Sequence, residues 1–182
     1  MIRIIGGIYK GRFLEIPNSK VTSPTMDKVR QAIFNILSHK TENAIACDLF
    51  AGSGAMGLEA LSRGAKKCYF VDKDKGTFFL MKGNVKALNV PQEQYELFCG
   101  DYRVFIKRSA GLKLDLLFLD PPYKMDINAD IIKDMDSRDM FAPGAVIVSE
   151  QEKANKEIAG YSMKEYRYGA KHVAVYTKEE CL

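Results

Sequence analysis

The sequence predicts an α/β protein in which helices cover both faces of a mostly parallel sheet, and three observations support this prediction. From residue 44 onward, short apolar runs alternate with segments of helical periodicity, which is the pattern of repeated βαβ units. The run at 114–120 is almost unbroken in apolar residues, as expected of a strand buried on both faces. The chain has 182 residues, of which 47% are hydrophobic and 27% charged, so it can bury the core of one domain.

The elements are predicted in chain order from periodicity and turn signals. Residues 1–25 hold glycine turns between two short apolar runs that we expect to pair as strands. A helix follows Pro24, because apolar residues recur at helical spacing from Val29 to Leu37. This apolar face should lie in the core, with Lys28 and Arg30 on faces open to solvent or a ligand. Further on, strands are predicted at 45–50, 68–72, 95–100, 114–120, 145–150, 163–168 and 172–177, and helices at 55–64, 75–88, 102–109 and 128–138.

The positive charge is concentrated in the N-terminal part. Residues 1–40 contain seven Lys or Arg and two acidic residues, whereas the whole chain has a net charge of +4. The composition changes near residue 42. We therefore predict a basic N-terminal extension, 1–42, and an α/β body, 43–182. The basic part is either a solvated face or a surface that binds phosphates.

The cysteines and histidines limit the kinds of site that the chain can form. Cys47, Cys68, Cys99 and Cys181 form no CxxC pair, and the sequence has two histidines. This pattern argues against a disulfide framework and against a metal site, so we expect no metal and a cytoplasmic location. The sequence has no long uncharged apolar run, and basic residues interrupt its first apolar stretch. Neither a membrane span nor a signal peptide is predicted.

A glycine loop joins the first body strand to the next helix, and its sequence is Asp48-Leu49-Phe50-Ala51-Gly52-Ser53-Gly54. Glycines let the backbone approach a ligand closely, and the start of a helix offers free N–H groups. The segment GSGAMG (52–57) also fits the dinucleotide fingerprint, which keeps NAD open as an alternative. Asp48 would repel a pyrophosphate, but it suits the positively charged amino group of a methionine moiety. We therefore favour S-adenosylmethionine over NAD.

Two further acids follow the second and third strands. Asp72 lies about twenty residues after the glycine loop, where an acid can accept both hydroxyls of a ribose. The alternative for Asp72 is a surface acid before the next helix. Asp101 is placed to accept the exocyclic amine of an adenine, with Tyr102 beside the ring. The prediction for Asp101 and Tyr102 depends on their position, because they follow the third strand at the same edge of the sheet as the loops after the first two strands.

The fourth strand runs directly into Asp120-Pro121-Pro122-Tyr123, the most specific motif in the chain. Two prolines fix φ and remove two N–H donors, which makes a stiff loop rich in acceptors. The Asp120 carboxylate and the Pro121 carbonyl can accept both protons of one NH₂ group and so aim its lone pair at a methyl donor. Tyr123 offers a face for stacking a base. The alternative is a Pro-Pro loop with a capping Asp.

Four blocks together resemble the RsmD family of class I S-adenosylmethionine-dependent methyltransferases, and they are RIIGGIYKGR (3–12), PTMDKVRQAIFNIL (24–37), DLFAGSGAMGLEALSRGA (48–65) and DPPY (120–123). These bacterial enzymes methylate N2 of one guanine in small-subunit (16S) ribosomal RNA. The resemblance implies a Rossmann-like, seven-stranded sheet in the order 3-2-1-4-5-7-6, with strand 7, here His172–Thr177, antiparallel.

The resemblance also implies the site residues. Cofactor contacts are expected from Asp48, Phe50, Ala51, Gly52, Ser53, Gly54, Asp72, Lys73, Asp101 and Tyr102, and target-base contacts from Asp120, Pro121, Pro122 and Tyr123. The chain departs from the family pattern twice. The family usually has Glu at the position of Asp72, which is one methylene shorter, and Leu at the position of Met56.

The resemblance implies that the basic N-terminal extension binds RNA. Arg3, Lys10, Arg12 and Arg30 are expected to border the crevice and hold phosphates. The expected partner is small-subunit ribosomal RNA or an assembling 30S particle, and the protein is expected to be a monomer. Two alternatives stay open: a DNA adenine-N6 methyltransferase, because the same motif serves that chemistry, and a catalytically idle RNA-binding or assembly protein on the same scaffold.

Overall fold

A computed structural model describes residues 1–17, 24–122 and 126–179 of the chain. The helices in these ranges are Pro24–Leu37 (α1), Ala55–Ser62 (α2), Lys75–Ala87 (α3), Tyr102–Arg108 (α4) and Asn128–Ser137 (α5), with 3₁₀ turns at Ser38–Thr41 and Gln92–Gln94. None of the helices in the described ranges is both long and apolar enough to cross a membrane.

The strands of the described residues form two sheets. They are Ile2–Arg3 (β1), Phe13–Leu14 (β2), Ile45–Asp48 (β3), Lys67–Asp72 (β4), Tyr95–Cys99 (β5), Leu114–Leu119 (β6), Phe141–Gln151 (β7), Tyr161–Tyr168 (β8) and Lys171–Lys178 (β9). β1 and β2 form an antiparallel pair. The other seven form one sheet in the order β5-β4-β3-β6-β7-β9-β8. β9 is antiparallel to both of its neighbours, and the remaining pairs are parallel. Counted from β3, this is the predicted order 3-2-1-4-5-7-6, which is confirmed.

Helices cover both faces of the large sheet, as predicted. Successive residues of a strand point to opposite faces. On β3, Ala46 belongs to the apolar cluster that includes residues of α1, α2 and α3, whereas Cys47 belongs to the cluster that includes residues of α4 and α5. On β6, Leu116 and Leu117 divide in the same way. Strands buried on both faces explain the unbroken apolar run of β6.

β7 begins four residues earlier than the sequence predicts. Pro143 and Gly144 resemble a turn, and Gly144 does adopt a positive φ of 70°. The structure accommodates both residues in an irregularity of the ladder, where the β6–β7 register shifts between Leu114 and Leu116. Because turn-like residues lie inside this bulged strand, the sequence pattern does not predict the first four residues of β7.

The N-terminal segment is fastened to α2 and α3. The Glu59 carboxylate, which is fully buried on α2, accepts hydrogen bonds from the backbone N–H groups of Ile5 and Gly6, both at 2.8 Å. Ile4 and Leu14 lie in the same apolar cluster as the core of the body. The boundary at residue 42 stays a prediction, and the core is continuous across it.

Candidate active site

Four acids lie at one edge of the sheet, where the parallel strands β3, β4, β5 and β6 end. Asp48 is in register with Phe70 of β4 and with Phe118 of β6, and Asp72 is in register with Cys99. Asp101 and Asp120 each follow the last residues of their strands. The carboxyl ends of neighbouring parallel strands form one crevice, which is where open α/β sheets bind ligands.

The glycine loop turns tightly between β3 and α2. Gly52 and Gly54 have φ values of +57° and +79°, a region that side chains with a Cβ disfavour. The Gly54 N–H donates to the Ala51 carbonyl at 2.7 Å, and the Ala51 N–H donates to Val71 of β4 at 2.9 Å. The loop is thus held by backbone bonds against the end of the adjacent strand.

Asp48 lies beneath this loop and is 4% exposed. One of its carboxylate oxygens accepts the Gly57 N–H of the first turn of α2 at 3.0 Å. Burial of a carboxylate is costly unless hydrogen bonds compensate, and a helix N-terminus supplies them. Asp48 is predicted to bind a cationic amino group, and the structure shows that it anchors α2. The amino-group contact stays a prediction.

Asp72 joins the loops after β3 and β4. One of its oxygens accepts the Gly52 N–H at 2.9 Å and the other accepts the Asp74 N–H at 2.9 Å. Each carboxylate oxygen has a second lone pair, so both can still accept a ribose hydroxyl. Lys73 beside it is exposed, and its cofactor contact stays a prediction.

Phe50, Asp101 and Tyr102 lie together after β3 and β5. The Phe50 and Tyr102 rings have centroids 5.2 Å apart at an interplanar angle of 57°. Asp101 caps α4 and accepts the Arg103 N–H at 2.8 Å. An aromatic wall with an adjacent carboxylate matches the two demands of an adenine, an apolar face and an exocyclic amine.

The Asp120-Pro121-Pro122 loop leaves β6 next to the glycine loop. The Leu49 N–H donates to the Phe118 carbonyl at 3.2 Å, so the two loops start from hydrogen-bonded strands. Asp120 and Pro122 are exposed and Pro121 is half-buried. Tyr123 lies outside the described residues, so its stacking role stays a prediction.

Arg30 is buried. It was expected on a helix face open to solvent or RNA, but it is 7% exposed. Its guanidinium donates to the Arg3 carbonyl at 2.6 Å and to Asp27 at 3.0 Å, and it lies 3.7 Å from Glu59. Burial lowers the pKa of Arg30, and the charges of Glu59 and Asp27 oppose that shift. The guanidinium serves the fold, and the expectation that it faces solvent is wrong.

The other three predicted RNA contacts are exposed: Arg3, Lys10 and Arg12. Arg12 donates to the carbonyl of Ala87, the last residue of α3, at 2.7 Å. Tyr9, beside Lys10, donates through its backbone to the Ser62 hydroxyl at the end of α2. Lys10 and Arg12 therefore lie toward the ends of α2 and α3 farther from the glycine loop, and the expectation that these two residues border the crevice is wrong. The phosphate contacts of Arg3, Lys10 and Arg12 stay predictions.

Sequence reasoning missed two residues that connect the N-terminal segment to the site. Asn84 of α3 is 3% exposed, and its amide donates to the carbonyls of Ser53 and Glu15, both at 2.9 Å. Glu59 is the other, and it also pairs with Arg63 at 2.7 Å. Both are polar residues within apolar helical patterns, which is the signal that could have singled them out.

Two cysteines of the core, Cys47 and Cys68, are fully buried. Burial, and secondly the charge of Asp48, raises the pKa of the thiols of Cys47 and Cys68 well above the usual range. A thiol in this state supplies little thiolate. Among the described residues, no group of three or more His, Cys, Asp or Glu could hold a metal ion.

The strand order and the row of acids at the carboxyl edge define a class I methyltransferase fold. An O-methyltransferase from Bacillus cereus, solved in complex with SAH, shares this fold with a TM-score of 0.66 at 14% identity, over 90% of this chain and 84% of that one.

The family follows from closer matches. A family model described as "Conserved hypothetical protein 95" matches residues 2–177, and the chain belongs to this family, the RsmD family. Ribosomal RNA small subunit methyltransferase D of Haemophilus influenzae is 36% identical over 84% of this chain and 79% of its own length. YlbH of Bacillus subtilis is 34% identical over 97% and 99%. The structure of yhhF from Escherichia coli superposes with a TM-score of 0.86 at 29% identity, covering 98% of both chains.

Proposed function

We propose that this protein transfers a methyl group from S-adenosylmethionine to the exocyclic N2 of a guanine in small-subunit ribosomal RNA. The observation on which the proposal rests is the adjacency of two loops, because the glycine loop and the Asp120-Pro121-Pro122 loop leave the hydrogen-bonded strands β3 and β6 side by side. One loop suits a methyl donor and the other suits an amino group.

The residues present fit S-adenosylmethionine. Asp72, at the rim, suits the ribose hydroxyls, and the Phe50–Tyr102 wall with Asp101 suits the adenine. Asp48 and the positive-φ glycine loop suit the methionine part. When bound, the cofactor supplies a methyl group on a positively charged sulfur.

The protein's own contribution is to orient the amine. The lone pair of an exocyclic amine is delocalised into the base, which makes it a poor nucleophile. Acceptance of its two protons by the Asp120 carboxylate and the Pro121 carbonyl favours a tetrahedral nitrogen whose lone pair faces the methyl group. On taking the methyl group, the nitrogen would release one proton to Asp120 or to water, while the electron pair of the broken S–C bond would neutralise the sulfonium. Pro121 and Pro122 hold the loop stiff through this step.

Ribosomal RNA as substrate is supported by the relatives named as ribosomal RNA small subunit methyltransferase D. It is also supported by the exposed Arg3, Lys10 and Arg12 of the N-terminal segment, because exposed cations suit RNA phosphates. An enzyme that modifies this RNA works where the subunits assemble, so the proposal includes a cytoplasmic location. It also includes a monomeric state, which sedimentation velocity tests.

The test is nucleoside mass mapping of small-subunit ribosomal RNA from a strain that lacks the protein. We expect the loss of one N2-methylguanosine, restored when purified protein and labelled S-adenosylmethionine are added to the particles. Equal labelling of DNA as N6-methyladenine would support the DNA enzyme instead. An unchanged RNA map together with RNA binding but no transfer would support the idle scaffold.

A further inference from the structure

Asn128, the first residue of α5, has a buried acceptor that the fold does not use. The side chain is 2% exposed, and its amide nitrogen donates to the Ser149 hydroxyl at 2.7 Å. Its carbonyl oxygen is buried and has no hydrogen-bond partner within the described residues. Buried polar atoms in native proteins are nearly always paired, so this oxygen has the capacity for a further hydrogen bond that the described residues do not fill.

A chain of hydrogen bonds fixes the orientation of this amide. Asn155 donates through its NH₂ group to Glu165 at 3.2 Å, which turns the Asn155 carbonyl oxygen toward Ser149. The Ser149 hydroxyl donates its single proton to that oxygen at 2.6 Å. Ser149 can therefore only accept from Asn128, and the NH₂ group must face it. A flipped amide would place its oxygen against Ser149 and break the chain, so the orphaned atom is the oxygen.

Asn128 is tied to the sheet beside the strand that carries the target-base loop. Ser149 lies at the carboxyl end of β7, in register with Leu119 of β6, and Asp120 follows Leu119 directly. Asn128 is thus attached to the strand end next to the one that carries the Asp120-Pro121-Pro122 loop. An amine held by Asp120 brings the neighbouring ring atoms of its base to this part of the crevice.

The atom beside the amine distinguishes guanine from the other amino bases. In guanine the ring nitrogen N1 next to the 2-amino group carries a proton and donates. In adenine and cytosine the ring nitrogen next to the amine, N1 and N3 respectively, carries a lone pair and accepts. An orphaned acceptor therefore pairs with guanine and repels the other two.

We propose that Asn128 is a specificity-determining residue whose carbonyl oxygen accepts the N1–H of the target guanine. This proposal rests on the proposed function, since it needs an amine held at Asp120. The oxygen is buried in the free protein, so contact with the base requires the side chains that cover it to shift, as interface side chains often do on binding.

The test is a double-mutant cycle between protein and RNA. At the guanosine identified by the mass mapping, small-subunit RNA carries either guanine or 2-aminopurine, which keeps the 2-amino group but has no N1–H. Single-turnover methylation is measured for the wild type and Asn128→Ala. We expect the wild type to prefer guanine over 2-aminopurine by tenfold or more beyond the preference of Asn128→Ala. The missing O6 of 2-aminopurine affects both proteins alike and cancels in the cycle.

Two variants separate recognition from stability. Met135→Ala removes buried side-chain atoms two turns farther along α5 and leaves the Asn128–Ser149–Asn155 chain intact, so it should lower stability and keep the wild-type preference for guanine. Asn128→Asp keeps an acceptor for N1–H but loses the NH₂ group that Ser149 accepts, so the Ser149 proton must turn from Asn155 to the new carboxylate and only part of the preference that Asn128→Ala loses should return. S-adenosylmethionine affinity should be unchanged in all three variants. Additive effects in the cycle, with normal methylation of guanosine, would overturn this proposal alone, whereas a map without any missing methylguanosine would overturn the proposed function with it.

Discussion

Asp120 is the residue on which the proposed chemistry depends most. Replacement by Ala removes an acceptor of the target amine, and we expect methyl transfer to fall by at least about 10²-fold. Asp120→Asn keeps one carbonyl acceptor but no negative charge, so its rate should lie between wild type and Ala. Single-turnover kinetics on ribosomal particles measures all three.

Cofactor binding is the control for these variants, because the proposed function places Asp120 against the target base and not against the cofactor. Affinity for S-adenosylhomocysteine, measured by calorimetry, should be unchanged. Wild-type rates in Asp120→Ala would remove the Asp-Pro-Pro loop from the mechanism.

Asp72 is the corresponding residue for the cofactor. Loss of its carboxylate should weaken S-adenosylmethionine binding by about 1–3 kcal/mol, the range for a charged hydrogen-bond acceptor. Because the same carboxylate holds the Gly52 and Asp74 N–H groups, part of this loss arises from a looser loop. Asp72→Glu introduces the residue that is usual in the family, and this variant should retain affinity for S-adenosylmethionine in the same calorimetric titration. Full affinity in Asp72→Ala would exclude the ribose contact.

Among the structural elements, the N-terminal segment is proposed to meet RNA through phosphates. Replacing Arg3, Lys10 and Arg12 together with Ala should lower RNA affinity and flatten its dependence on salt, since fewer counterions are released. Cofactor affinity should stay the same. An unaltered salt slope in the triple variant, measured by filter binding, would assign RNA binding to another surface.

The attachment of this segment to α2 depends on a buried carboxylate. Glu59→Ala leaves Arg30 buried with one fewer carboxylate partner and frees two backbone N–H groups, so unfolding should become easier by about 3–5 kcal/mol. Urea denaturation measures this loss. Glu96→Ala is a matched control, because its pair with Lys67 is exposed and should contribute at most about 1 kcal/mol. Equal midpoints for the two variants would contradict the role of Glu59.

Periodicity and turn chemistry predicted most elements to within a few residues, because each strand and helix is marked locally. The strand order came from the resemblance to a family, since alternation alone does not order a sheet. Arg30 was misplaced because an apolar stripe says nothing about a carboxylate that arrives from another helix. The orphaned oxygen of Asn128 could not be foreseen either, because it depends on Ser149 and Asn155 from a distant strand and loop.

For the molecule as a whole, a bound cofactor should stabilise the native state. At a concentration one hundred times its Kd, a ligand that binds only the folded protein adds about 2.7 kcal/mol. For a chain of this size we expect the Tm to rise by about 5–10 °C with S-adenosylhomocysteine. NAD at the same concentration should leave the Tm unchanged, and calorimetric scans with each ligand compare them. A rise in Tm with NAD alone would indicate that the glycine loop binds a dinucleotide.

The sheet order also bears on how the chain folds. β8 and β9 form a hairpin that closes across Gly169 and Ala170, so its contacts are local and can form early. β3 and β6 come from distant parts of the chain, and the bond from the Ile45 N–H to Asp115 that joins them spans 70 residues. Closing so long a loop costs more entropy and is slower. The crevice lies at the end of this long-range pair, so the hairpin alone offers no place for cofactor or base, and the site is complete only when β3 and β6 have paired.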